Sequence, residues 1–131
     1  MDTHLSTNTP GASLSFRTLK RYSDGSGYYT VLAVESDPFA ASLPFSFEPH
    51  SLDVFLRELR DLNETLLGTA TLKPMWEPQF LRLEGDGRGH ISVSGELLFS
   101  AQQLRFAFET DQTCLARLIR DVEAWPHLAA V

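Results

Sequence analysis

The sequence predicts an α+β fold: an antiparallel β-sheet of about seven strands covered by two amphipathic helices. Three observations carry that prediction. Long stretches alternate apolar and polar residues with a period of two, as half-buried strands do. Two stretches switch to a helical stripe. The same order of turn, strand and helix recurs about 62 residues later.

Along the chain, residues 1–11 (Met1 to Gly11) are polar and lack a regular pattern, so a loose N-terminal arm is expected there. Leu14 and Phe16 then alternate with Ser13, Ser15 and Arg17. Asp24-Gly25-Ser26-Gly27 supplies residues that tolerate positive φ, which a tight hairpin needs. Residues 28–34, rich in aromatic and β-branched types, form the return strand. Leu43, Phe45 and Phe47 alternate again, and Pro44, without an N–H, places this strand at a sheet edge.

From His50 the period changes. Leu52, Phe55, Leu56, Leu59 and Leu62 form one helical stripe, with Ser51 as the expected N-cap and Gly68 as the expected stop. Short strands follow over 69–73 and 80–84, then the turn Asp86-Gly87-Arg88-Gly89. Ile91, Val93, Gly95, Leu97 and Phe99 share one parity, as do Leu104, Phe106 and Phe108. Leu115, Leu118, Ile119, Val122 and Trp125 form the second stripe, capped by Thr110 or Asp111 and ended by Pro126.

Laid on each other, the turns match at 62 residues, the Leu43 and Leu104 strands at 61, and the helices at 63. An internal duplication, β-β-β-α twice, over about 12–68 and 69–126 within one domain of 12–131, explains the recurrence. Convergence of two units on the same packing rules would give the same pattern.

Composition narrows the function. At 131 residues with 43% hydrophobic and 21% charged residues, the chain can bury a core without a metal or disulfide staple. A net charge of −6 and only two lysines, Lys20 and Lys73, argue against a nucleic-acid face. That charge would instead steer a basic partner. There is no apolar run near the roughly 20 residues that a bilayer span needs, and no signal-like start, so a cytoplasmic protein without membrane contact is expected.

No catalytic constellation emerges. His4, His50, His90 and His127 lack metal-ligand spacing, and the lone Cys114 offers no CxxC pair, so neither metal nor cofactor is expected. A reactive Cys114 at a helix start is conceivable, but no base is nominated and a small semi-buried filler is the expectation. The Asp86 turn lacks the spacing of a phosphate or calcium loop. Met75-Trp76-Glu77-Pro78 puts large apolar groups in a proline-bracketed connection. Trp76 is expected to fold back onto the core edge; the other reading makes it an exposed anchor. With Glu77, Tyr28 and Tyr29 it is the candidate binding surface.

Two stretches, Glu77-Pro78-Gln79-Phe80-Leu81-Arg82-Leu83 and the run from Leu104 to Leu115, resemble the WapI-type immunity proteins. The likeness covers the second half and, loosely, the first helix. It implies a small protein that neutralises a contact-dependent toxin by binding it, with no functional residue to transfer. The expected function is therefore a non-enzymatic acidic binding module whose partner is a protein, such as a basic toxin domain. A small-molecule binder or minor enzyme, with a pocket between sheet and helices, is the alternative. A homodimer through edge strands is compatible with both.

Overall fold

A computed structural model describes residues 1–5 and 7–131. Among the described residues eight strands form two four-stranded antiparallel sheets, each followed in the chain by a helix. Sheet A contains β1 (Thr3–Leu5), β2 (Ala12–Arg21), β3 (Tyr28–Ser36) and β4 (Phe39–Phe47), in that order. The helix α1 (Pro49–Thr65) leads to sheet B: β5 (Leu67–Leu72), β6 (Phe80–Asp86), β7 (His90–Phe99) and β8 (Gln102–Asp111). The helix α2 (Thr113–Ala124) and a 3₁₀ turn (Trp125–His127) complete it.

The α+β class and the two helices agree with the sequence; the sheet does not. Eight strands in two sheets replace about seven in one. The extra strand lies in the expected loose arm: Thr3 and Leu5 are buried, and Thr3 pairs with Phe16 and Leu5 with Leu14. A strand of three residues carries too few alternations to register as a pattern.

Both helices bury the anticipated stripes. Leu52, Phe55, Leu59 and Leu62 are buried on α1, and Leu115, Leu118, Ile119 and Val122 on α2. The caps differ from expectation. Glu48, not Ser51, is the N-cap of α1, and Pro49 takes the first turn, where a missing N–H costs nothing. The α1 stop is Leu66 at φ 60°, its N–H bonded to the Leu62 carbonyl, two residues before Gly68. At α2 the Asp111 carboxylate accepts the Thr113 N–H at 2.9 Å, although Gln112 is the residue preceding the helix.

The helices tie the sheets together. Along sheet B, α1 runs beside β5, and a side chain at Gly85 would meet Leu62 Cδ1 at 2.8 Å. On sheet A, α2 packs against β1, and the wholly buried Trp125 sits 5.0 Å from the Phe16 ring and 5.9 Å from Phe47. Its indole N–H donates to Thr3 Oγ1 at 3.1 Å. Each unit's helix thus ends on the other unit's sheet, and one core cluster spans both.

Register refines the internal correspondence. The pairs Tyr28/Phe47, Thr30/Phe45 and Leu32/Leu43 of sheet A correspond to Ile91/Thr110, Val93/Phe108 and Gly95/Phe106 of sheet B. All lie 63 residues apart, as the helices do (115 − 52), whereas the sequence match of Leu43 with Leu104 lies at 61. Slips are confined to the turns and to a bulge between Arg17 and Lys20, where Thr18 has φ 50°.

Candidate interaction site

The connection from β5 to β6 is fixed at both ends and open in the middle. Pro74 and Gln79 are buried, while Met75, Trp76, Glu77 and Pro78 between them are exposed. Trp76 is 84% exposed and Met75 50%. The expectation that Trp76 folds back on the core is therefore corrected: the proline-bracketed turn points it outward.

Side-chain hydrogen bonds hold the loop. Glu48, at the start of α1, accepts the Met75 N–H at 3.0 Å and the Ser51 hydroxyl at 3.2 Å through one oxygen. Lys73 Nζ donates across the loop to the carbonyls of Glu77 (2.8 Å) and Pro74 (3.3 Å). Gln79 Nε2 donates to the Glu77 carboxylate at 2.6 Å. The Gln79 side-chain Oε1 accepts the Leu98 N–H at 3.4 Å, tying the loop to β7. Such a loop has little conformational freedom left to lose on binding.

The surroundings are acidic and concave. Glu48 and Glu77 flank the exposed pair, and a shallow depression of about 290 Å³ beside Met75 is lined by residues including His50, Val54, Glu58 and Pro74. Lys73 is engaged by carbonyls, and Glu58 accepts the Thr71 N–H at 3.0 Å.

The other candidates are dispersed. Glu77 belongs to the loop. Tyr28 is 5% exposed and stacks on Phe47 with ring centroids 5.2 Å apart, so it is a core residue and not a surface anchor. That burial pushes its phenol pKa upward. Tyr29 points to the opposite face of β3, half-buried, with Lys20 Nζ 6.0 Å from its ring centroid. No hydrogen bond or ring contact joins either tyrosine to Trp76 among the described residues. Glu48, Lys73 and Gln79 escaped sequence reasoning; Glu48 in particular meets its partner Met75 across 27 residues, a separation that carries no local signal.

Cys114 is buried, and desolvation, aided by Asp111, pushes its thiol up to about 12. His90 is exposed, with Nδ1 2.9 Å from Asp86 Oδ2. Asp86 is held below the usual carboxylate range first by the Arg88 N–H and then by His90. Among the described residues no three His, Cys, Asp or Glu groups converge as metal ligands, and no helix is long and apolar enough to cross a membrane. The space between sheets and helices, considered for a ligand pocket, is filled by core side chains such as Phe55, Leu72, Leu83 and Leu115.

No curated protein and no solved structure matches the chain. A family model does, the immunity protein WapI-like family, over residues 6–125. That match spans β2 to β8 and both helices, and the chain belongs to the WapI-like immunity protein family.

Proposed function

We propose that this protein neutralises a toxin without enzymatic chemistry, by seating the Met75–Trp76 loop in a basic surface of the toxin domain. The observation that carries the reading is a tryptophan 84% exposed on a loop fixed by side-chain bonds at both ends. Exposing a large indole costs the free protein hydration free energy that only a partner would recover. Tryptophan is also the residue type most enriched among dominant interface contacts. Glu48 and Glu77 beside it, with a net charge of −6, favour a cationic counterpart and fast, salt-dependent encounter. An arginine of the partner stacked on the indole would use both features.

The test is affinity for toxin domains encoded by neighbouring genes, measured by calorimetry. Trp76→Ala should weaken binding about 30-fold or more, the scale of a dominant anchor. Its urea midpoint should stay at the wild-type value, because the side chain packs against little. Wild-type affinity in Trp76→Ala rejects this surface; a loss shared by the exposed control Leu67→Ala would mean the effect is not specific to the loop.

A further inference from the structure

The two sheets present four edges, and they are not equally protected. β1 has only three residues. β5 lies under α1, whose Glu58 takes its Thr71 N–H. On β8 the outward carbonyls of Ala107 and Glu109 accept the hydroxyls of Ser36 (3.3 Å) and Thr9 (2.7 Å). β4, nine residues long and last in sheet A, has no hydrogen bond on its outer edge among the described residues.

Hydrogen-bond phase shows which groups that edge offers. The Tyr22 N–H bonds to the Gly27 carbonyl at 3.0 Å, which sets the phase of the β2–β3 ladder. Alternation from there turns the main chain of Tyr28, Thr30 and Leu32 towards β4. Their partners Phe47, Phe45 and Leu43 therefore spend their groups inward, whereas Ala40, Ser42 and Pro44 turn theirs outward. Pro44 removes one outward donor, but Ala40 and Ser42 each retain an N–H and a carbonyl facing away from the sheet.

Those groups face a groove. Its volume is about 520 Å³, between the β4 edge and the start of β8, with Ala41, Leu43, Pro44, Leu97, Phe99 and Leu104 in its wall. Phe99 at one hairpin end is 60% exposed, and Phe39, 68% exposed at the other, lines the adjoining depression with Ala40 and Leu104. The surrounding charge is acidic on balance. Glu35 and Asp37, in depressions that adjoin the groove at Ala40, are exposed and form no ion pair among the described residues, whereas Arg105 is engaged by Glu96 at 3.4 Å. Arg17 is the remaining cation nearby.

We propose that β4 accepts an extended, basic-flanked apolar segment of a protein partner as a fifth strand of sheet A. Main-chain bonds to Ala40 and Ser42 would hold it, alternate apolar side chains would enter the groove, and the lysine or arginine at whichever end lies beside the β3–β4 hairpin would meet Glu35 and Asp37. This surface is separate from the Trp76 loop and does not rest on the toxin reading.

A blocked peptide, Lys-Val-Thr-Val-Thr-Val-Lys, tests it against two controls, one with glutamates for the lysines and one with a central proline. Fluorescence anisotropy should detect the lysine peptide on the wild-type protein, at least about tenfold weaker binding of either control, and the same loss for Ser42→Pro. Ser42→Pro deletes an outward N–H and leaves the inward ladder intact, so its unfolding midpoint should hold. If that midpoint falls, the Glu35→Lys/Asp37→Lys pair serves in its place, with the same loss expected. No binding of the lysine peptide at millimolar concentration overturns the proposal, as does equal binding of the proline peptide. A concentration-dependent dimer abolished by Ser42→Pro also overturns it, since the occupant would then be a second copy of the chain.

Discussion

The unit built on sheet A and the unit built on sheet B bury matching positions and expose different ones. Ser51, Leu52, Phe55, Leu59 and Leu62 on α1 correspond at 63 residues to Cys114, Leu115, Leu118, Val122 and Trp125, and all ten are buried. Their first connections diverge. Residues 7–11, between β1 and β2, are used internally: Asn8 donates to the Asp111 carboxylate at 2.8 Å and Thr9 to the Glu109 carbonyl. The counterpart between β5 and β6 instead turns Met75 and Trp76 to solvent. The buried frame is held by packing on both sides, so variation collects in the connections, where side chains are free to change task.

The largest effect should come from breaking the closure between units. Trp125→Ala removes a wholly buried indole from between Phe16 and Phe47 and leaves Thr3 Oγ1 without its donor. A loss of about 3–5 kcal/mol is expected in urea titration, against about 2–5 kcal/mol for Leu62→Ala at the matching position. A loss below about 1 kcal/mol for Trp125→Ala would mean that sheet A does not depend on α2.

A smaller effect tests how the two strand pairs fill equal space. Leu32 opposite Leu43 becomes Gly95 opposite Phe106, the larger ring taking the room of the missing side chain. A Cβ at Gly95 would lie 2.6 Å from Phe106 Cε1 and 2.8 Å from the Phe80 carbonyl oxygen. Gly95→Ala should cost about 1–3 kcal/mol. Adding Phe106→Leu should return part of that, since the ring contact is relieved and the backbone contact is not; strictly additive losses would reject the compensation.

Much of this was legible in the sequence, for physical reasons that differ by element. The two stripes are long and strictly periodic, so Leu52 to Leu62 and Leu115 to Trp125 announced their buried faces. The hairpin turns at Asp24 and Asp86 were legible because Gly25 and Gly87 need positive φ (78° and 84°). Whether strands join one sheet or two depends on pairing between distant residues, which no local pattern encodes. The helix ends were set by an αL leucine at Leu66 and a glutamate at Glu48 where serine and glycine were expected. At the loop, sequence could nominate Trp76 but not its direction, which depends on Glu48 and Lys73 gripping the backbone on either side.

Two pH effects separate the units further. Cys114 has no titratable counterpart, since Ser51 occupies the matching place. Its thiol pKa is raised in the folded state, so its contribution is complete below the ordinary thiol value and is lost as pH rises towards about 12. Alkaline unfolding should therefore set in later for Cys114→Ser than for wild type, and native Cys114 should resist thiol reagents at neutral pH; rapid native labelling would contradict its burial. The smallest effect lies on the acid side. Asp24, Asp86 and Asp111 are all lowered, Asp24 by the Ser26 hydroxyl and N–H, and Asp111 by the Thr113 hydroxyl and N–H. Their contributions are present above the unfolded carboxylate value, near 3.9, and are lost as pH falls through the lower folded values. Asp86→Asn should flatten the decline in urea midpoint on acidification, with Asp24→Asn a slightly different case because no histidine follows its turn; an unchanged slope in both would remove the turns from the account.

The chain has two tryptophans, and the fold sends them to opposite environments: Trp125 fully enclosed, Trp76 almost bare. Native emission should therefore combine a blue component from the first indole with a red one from the second. Excitation of Trp76→Phe would isolate a reporter of unfolding, and the difference spectrum a reporter of docking. The protein carries separate optical probes for its integrity and its encounters without any label.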